Sequence, residues 1–171
     1  MEWLIWLVMI VLVVVVWLHF RGSDDNNLGI KGKLVWTDHG RQTKPFFNRT
    51  FEVFGKPDLM YRTKDGILAV EFKSRKGRVF LSDIVQAKCA SLAARGAGYK
   101  VTEILVKTAR EERYITLLSS DTALFNEIQP RVAMARKAKR GDQVPSFPEK
   151  NKCFSCAHNS SCESAAIRRA S

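Results

Sequence analysis

The run Trp3–Phe20, WLIWLVMIVLVVVVWLHF, holds no Lys or Arg, and His19 is its only clearly polar side chain. No soluble core of ordinary size absorbs such a stretch easily. As a helix rising ~1.5 Å per residue it covers ~27 Å, close to the ~30 Å of a hydrocarbon layer. Trp3, Trp6 and Trp17 stand near its ends, where amphipathic rings favour the headgroup level. A cleaved signal peptide would open on positive charge and close on small residues; this run opens Met1-Glu2 and closes His19-Phe20-Arg21. A buried core helix would show polar positions at helical spacing, and none recur here. Arg21, Lys31 and Lys33 flank only the C-terminal side. The positive-inside rule therefore predicts a single-pass anchor, residues 1–21, in the inner or plasma membrane, with the following domain cytoplasmic. Polar, glycine-rich Gly22–Gly32 reads as a flexible linker, residues 22–32.

What remains is about 150 residues, enough for one compact domain and too little for a multidomain enzyme or a repeat array. All 28 Lys and Arg residues lie in residues 21–171, and the whole chain carries a net charge of +11. Such an excess points to polyanions, either nucleic acid or an anionic membrane face. Lys33–Trp36 and Phe51–Phe54 read as short strands. Lys56–Arg62 and Ile67–Lys73 form a hairpin about Asp65-Gly66. Ser82 or Asp83 caps a helix whose apolar face carries Val85, Cys89 and Leu92, and Gly96 and Gly98 end it. Val101–Val106 and Arg113–Leu118 make a second hairpin. Asp121 opens another helix, which Pro130 interrupts or kinks, and its far half, Arg131–Arg140, is strongly basic. The expectation is an α/β domain over residues 33–142, followed by a cysteine-containing tail, 143–171.

Strand alternation puts Glu71 and Lys73 on one face. With Asp65-Gly66 as the two-residue turn, Lys64 pairs with Ile67, so Asp58 lies opposite Lys73 and diagonal to Glu71. The carboxylates of Asp58 and Glu71, with the backbone carbonyl of Phe72, suit a hard divalent ion, Mg²⁺ or Mn²⁺. Such an ion activates water and neutralises phosphoryl charge in an in-line displacement. Lys73 can hold the attacking water or the scissile phosphate as a compact cation, and Gln86 on the next helix can orient either. Arg75, Lys76 and Arg78, between them, would contact a DNA backbone, as would Arg131, Arg136, Lys137, Lys139 and Arg140 further on. Asp-x12-Glu-x-Lys alone is also what a charged hairpin face provides by chance.

The segments GKPDLMY, AVEFKSRKG and DIVQAKCASLAA, in this order, resemble the RecB-type branch of the PD-(D/E)xK nucleases, especially the small CRISPR-associated exonucleases of the fourth Cas family. The similarity runs from about Leu34 to Cys162. It implies a restriction-endonuclease-like core, a mixed central sheet flanked by helices, acting on DNA single strands or duplex ends. It also implies metal binding by Asp58 and Glu71, catalysis by Lys73, and a supporting role for Gln86 on the adjoining helix. The chain departs from the family pattern at Ala90, where a Tyr is common. An upstream His or Glu often completes such sites; His39 and Glu52 are the candidates.

Cys153, Cys156 and Cys162 have the C-x2-C-x5-C spacing of metal ligands, and a cytoplasmic domain argues against disulfides. The resemblance implies a four-iron four-sulfur cluster whose fourth cysteine comes from well upstream of the nuclease motifs, where this chain has none. Cys89 is the only other cysteine and reads first as a core thiol because of its apolar neighbours; His158 is a further ligand candidate. A zinc site and a vestigial site remain as alternatives. Two functional classes compete: a membrane-anchored metal-dependent DNA nuclease in DNA processing, repair or defence, and an inactive membrane-tethered nucleic-acid-binding module.

Overall fold

A computed structural model describes Trp3, Trp6 and residues 9–12, 29–146, 148 and 150–167. Most of the expected anchor, and the expected linker up to residue 28, lie outside the described residues. Among those described, no helix is long and apolar enough to cross a membrane. Trp3, Trp6 and residues 9–12 are helical and exposed.

The chain divides into two compact units, Met1–Ile128 and Gln129–Ser171. The first is a mixed α/β unit. Strands β1 (Lys33–Thr37), β4 (Leu59–Thr63), β5 (Gly66–Phe72), β6 (Val101–Lys107) and β7 (Glu112–Thr116) form one sheet in the order β1-β4-β5-β6-β7. Every pairing is antiparallel except β5–β6, and helix α1 (Leu81–Gly96) makes the crossover that this parallel pair needs. β2 (Phe46–Asn48) and β3 (Val53–Gly55) form a separate two-stranded sheet packed on α1.

Central strand β5 is buried from Ile67 through Glu71, because a strand covered on both faces selects a continuous apolar run. One face carries the cluster Ile30, Tyr61, Leu68, Val70 and Leu105. Ile30, expected within the flexible linker, is therefore part of the core, and the described end of that segment is anchored. The other face meets α1. That helix buries Ala87, Ala90, Ala93, Ala94 and Leu92 rather than the expected Val85–Cys89–Leu92 face, on which Val85 and Cys89 are only half-buried. Small side chains win because the neighbours come close. A Cβ on Gly55 would stand 3.0 Å from the Ala90 Cα.

Three further expectations need correction. Phe51 and Glu52 turn between β2 and β3 instead of forming a strand, with Glu52 at a φ of 51°. α1 starts at Leu81, not after a Ser82 or Asp83 cap: Asp83, in the third helical position, accepts the Phe80 backbone N–H at 2.7 Å, the reciprocal arm of a capping box. Pro130 does not interrupt helix α2 (Asp121–Lys139), which runs through it, although the division between the two units falls just before it. The expected end of α1 holds. Gly98 (φ +91°) donates to the Arg95 carbonyl at 2.9 Å and Tyr99 to Ala94 at 3.2 Å, a Schellman arrangement that favours glycine.

The second unit contains the far half of α2, the short helix α3 (Lys150–Phe154) and a series of tight turns through the cysteine motif.

Candidate active site

The β4–β5 register decides how the carboxylates meet. Thr63 pairs with Gly66 and Leu59 with Val70, so the two turn residues are Lys64 and Asp65, not Asp65 and Gly66. Thr63 closes the turn, its hydroxyl bonding the Gly66 carbonyl and accepting the Asp65 N–H. The register thus differs from expectation and sets Asp58 level with Glu71 rather than with Lys73. A shift of this kind moves a residue along its face but not to the other face, so the expected neighbours still meet.

Asp58 stands at the entry to β4. Its backbone N–H donates to the Val70 carbonyl at 3.0 Å, and its Oδ2 accepts the Phe72 N–H at 2.6 Å. Its position is braced from behind by Lys56, whose ammonium holds the Asp38 carboxylate at 2.6 Å and the carbonyls of Gly40 and Thr43. Glu71 closes β5 and is 5% exposed, a charged residue in an otherwise apolar strand. Lys73 Nζ donates to Glu71 Oε1 at 2.8 Å and to Gln86 Oε1 at 2.9 Å, while Gln86 Nε2 donates to the same Glu71 oxygen at 2.8 Å. Asp58, Glu71, Lys73 and Gln86, all singled out in the sequence, thus meet where β4, β5 and the first turns of α1 converge.

Burial pushes the Glu71 carboxyl above the usual range; the Lys73 hydrogen bond opposes this, and the negative charges of Asp58 and Asp83 add to it. The Lys73 ammonium is bonded to Glu71, while Asp58 accepts the Phe72 N–H. Carboxylate and carbonyl oxygens are the hard donors that Mg²⁺ and Mn²⁺ prefer. Among the described residues no group of three or more His, Cys, Asp or Glu could hold a metal ion, and neither His39 nor Glu52 completes such a group with Asp58 and Glu71. His39 sits at the start of a single 3₁₀ turn, its N–H bonded to the Thr43 hydroxyl.

The loop from Lys73 to α1 is held by contacts that sequence spacing did not indicate. Arg75 pairs with buried Asp83, bonds the Arg78 carbonyl and stacks 4.5 Å from the Phe80 ring centroid. Arg78 lies 5.7 Å from the same ring. Glu111 accepts the Val79 N–H at 2.7 Å. Arg75 is thus an anchor of the loop before it is a surface cation, while Lys76 is exposed. Asp83 was readable as an acid in a first helical turn, but its partner Arg75 and the bond from Glu111 depend on tertiary placement.

In the second unit, Arg131, Lys137, Lys139 and Arg140 are exposed and Arg136 is half-buried; Arg140 pairs with Asp142 at 3.1 Å. The cysteine tail is tied by Asn159, buried at 3% exposure, whose amide bonds the Cys153 carbonyl at 2.9 Å and the Ile167 carbonyl at 2.6 Å. Cys153 is buried and its Sγ accepts the Ala166 N–H at 3.4 Å; none of the four cysteines forms a disulfide. Cys89 is half-buried on α1 in the first unit.

Ala90, where the resembled family commonly carries Tyr, is packed against Gly55, so a ring at this position has no space in this arrangement. Compared with known proteins, the chain matches no family model and no curated protein sequence.

Proposed function

We propose that the chain is a membrane-anchored, metal-dependent DNA nuclease of the PD-(D/E)xK, RecB-like kind, hydrolysing phosphodiester bonds in single strands or at duplex ends. The observation that carries the reading is the convergence of Glu71, Lys73 and Gln86 through three hydrogen bonds of 2.8–2.9 Å, with Asp58 beside them, its Oδ2 accepting the Phe72 N–H. A decorative surface hairpin would leave its charged ends solvated, whereas here Glu71 is nearly inaccessible and shared by an ammonium and an amide.

Asp58 and Glu71 would hold Mg²⁺ or Mn²⁺, with the Phe72 carbonyl. When bound, the ion supplies Lewis acidity and charge neutralisation at the phosphate. The chain's own groups do the rest. Lys73 presents a cation whose position is fixed by Glu71 and Gln86, so it stabilises charge that develops on the phosphate without reorganising. Gln86 offers either a donor or an acceptor to water at the same point. Phe72 N–H keeps one Asp58 oxygen oriented. Lys76 and the basic residues of α2 supply contacts to the nucleic-acid backbone, which position it without reading its sequence.

Cys153, Cys156 and Cys162 would hold an iron–sulfur cluster or zinc. An N–H bonded to the Cys153 sulfur is the kind of contact that tunes a thiolate ligand. The exposed apolar helical residues near the N-terminus accord with a membrane anchor, and basic residues flanking only the C-terminal side of that run would put the nuclease domain in the cytoplasm; protease added to intact cells should then leave that domain uncut.

The second reading, a tethered binding module without turnover, is favoured by the presence of only two carboxylates in the cluster. Incubating the full-length chain with labelled DNA and Mg²⁺ or Mn²⁺ separates the two. Cleavage that disappears in Glu71→Ala supports the nuclease, and binding without cleavage under every metal supports the module.

A further inference from the structure

At the end of the β4–β5 hairpin away from Asp58 and Glu71 lies an open cleft of about 500 Å³. One wall is the turn from Arg62 to Ile67, and the other is the segment Ala97–Lys100 that follows α1. Arg62, Lys64 and Lys100 are all exposed along it, and Asp65 is the one carboxylate in the lining. None of these three cations forms an ion pair among the described residues. By contrast Lys56, Lys73, Arg75, Lys88 and Arg95 in the same unit each hold a carboxylate.

Two observations separate this cleft from an ordinary solvated surface. First, Lys33 of β1 is the direct cross-strand partner of Arg62, and like charges set opposite one another cost stability. A bound anion would offset that cost. Second, the cations are not needed to cap α1. Its last carbonyls already accept the N–H groups of Ala97, Gly98 and Tyr99. Tyr99, packed 5.3 Å from the Phe46 ring, adds an aromatic surface to the lining.

We infer that this cleft is a second nucleic-acid contact, taking phosphodiester groups on Arg62, Lys64 and Lys100 away from the carboxylate cluster. It rests on the preceding reading only in naming the polyanion as nucleic acid. The strand from Asp58 to Thr63, at ~3.4 Å per residue, sets the two places ~17 Å apart. A DNA strand long enough to span both should bind more tightly than one that reaches only one of them.

The test is fluorescence anisotropy of a labelled single-stranded oligonucleotide with full-length protein in nonionic detergent and EDTA, across a salt series. The variant replaces Arg62, Lys64 and Lys100 together by Ala. With ~0.7 of salt slope per neutralised phosphate on a single strand, the slope should fall by about 2 and low-salt affinity by tenfold or more. An unchanged slope overturns the inference. So does a loss of binding to phosphatidylserine vesicles with oligonucleotide binding intact, which would make the cleft a membrane contact. If inorganic phosphate removes the difference between wild type and variant, the cleft is a small-anion site and the inference again fails. Should circular dichroism show the triple variant unfolded, Lys64→Glu at the exposed turn carries the same test, with the same direction expected. Glu71→Ala should abolish cleavage yet keep the wild-type salt slope, so failure of the nuclease reading and failure of this one show up in different measurements.

Discussion

Glu71 occupies a position that an apolar residue would fill at lower cost: the end of a strand buried on both faces, beside Asp58 and within reach of Asp83. A charge held at such a position fits the proposed ion site. Mg²⁺ should therefore raise the melting temperature of the wild-type protein and have a much smaller effect on Glu71→Gln; equal shifts in differential scanning fluorimetry would count against metal binding at this pair. The four cluster residues were legible because strand alternation fixes the face, and the register difference preserved it. The role of Arg75 was not legible, since a basic residue in a glycine-containing loop looks like a DNA contact whether or not a buried Asp83 holds it. Arg75→Ala should lower stability by about 1–3 kcal/mol, through a buried carboxylate left short of a partner. Lys76→Ala should leave stability unchanged and reduce the salt slope of DNA binding. Urea denaturation and salt titration distinguish the two outcomes.

Helix α1 links the core to the cluster, because Gln86 leaves its first turns toward Glu71 while Ala87–Ala94 lie against the sheet and the β2–β3 hairpin. The sequence showed its C-terminal limit, through Gly98 after the last turn, but set its start too late, because Asp83 accepts the Phe80 N–H from inside the first turn instead of capping. Its buried face was misread. Val, Cys and Leu attract attention as core residues, whereas close approach to Gly55 selects alanines, and that pressure comes from a strand three dozen residues away. Ala90→Tyr, which would restore the residue common in the resembled family, should destabilise the fold by about 1–3 kcal/mol or more through overpacking. A melting temperature at or above wild type would refute the close α1–β3 packing. Asn48 makes the same junction by polar means: its side chain donates to the Leu92 carbonyl at 3.0 Å and accepts the Thr50 N–H at 3.1 Å. Asn48→Ala should cost about 1–3 kcal/mol, because a buried carbonyl loses its donor.

Across the whole molecule, the net charge of +11 and the basic half of α2 are what the proposal of a nucleic-acid partner draws on, and the cysteine motif adds a second metal question. Anaerobically purified protein should carry iron and acid-labile sulfide that are lost in Cys156→Ser, whereas stoichiometric zinc without iron would replace the cluster by a zinc site. The hairpins followed from alternation and turn residues, whereas the mixed sheet was expected only from the family resemblance. The small β2–β3 sheet followed from neither, because its strands are three residues each and one lies in a stretch that reads as polar loop. If Asp58, Glu71, Lys73 and Gln86 form a hydrolytic site, the rate of DNA cleavage by full-length protein with Mg²⁺ or Mn²⁺ must separate wild type, Glu71→Ala and Lys73→Ala. Loss of a positioned stabilising group typically costs ~10²–10³ in rate. The account predicts cleavage by wild type, none by Glu71→Ala, and a loss of that order for Lys73→Ala with DNA binding retained. Equal cleavage by all three, or none by wild type with either metal on single strands and duplex ends, would contradict it.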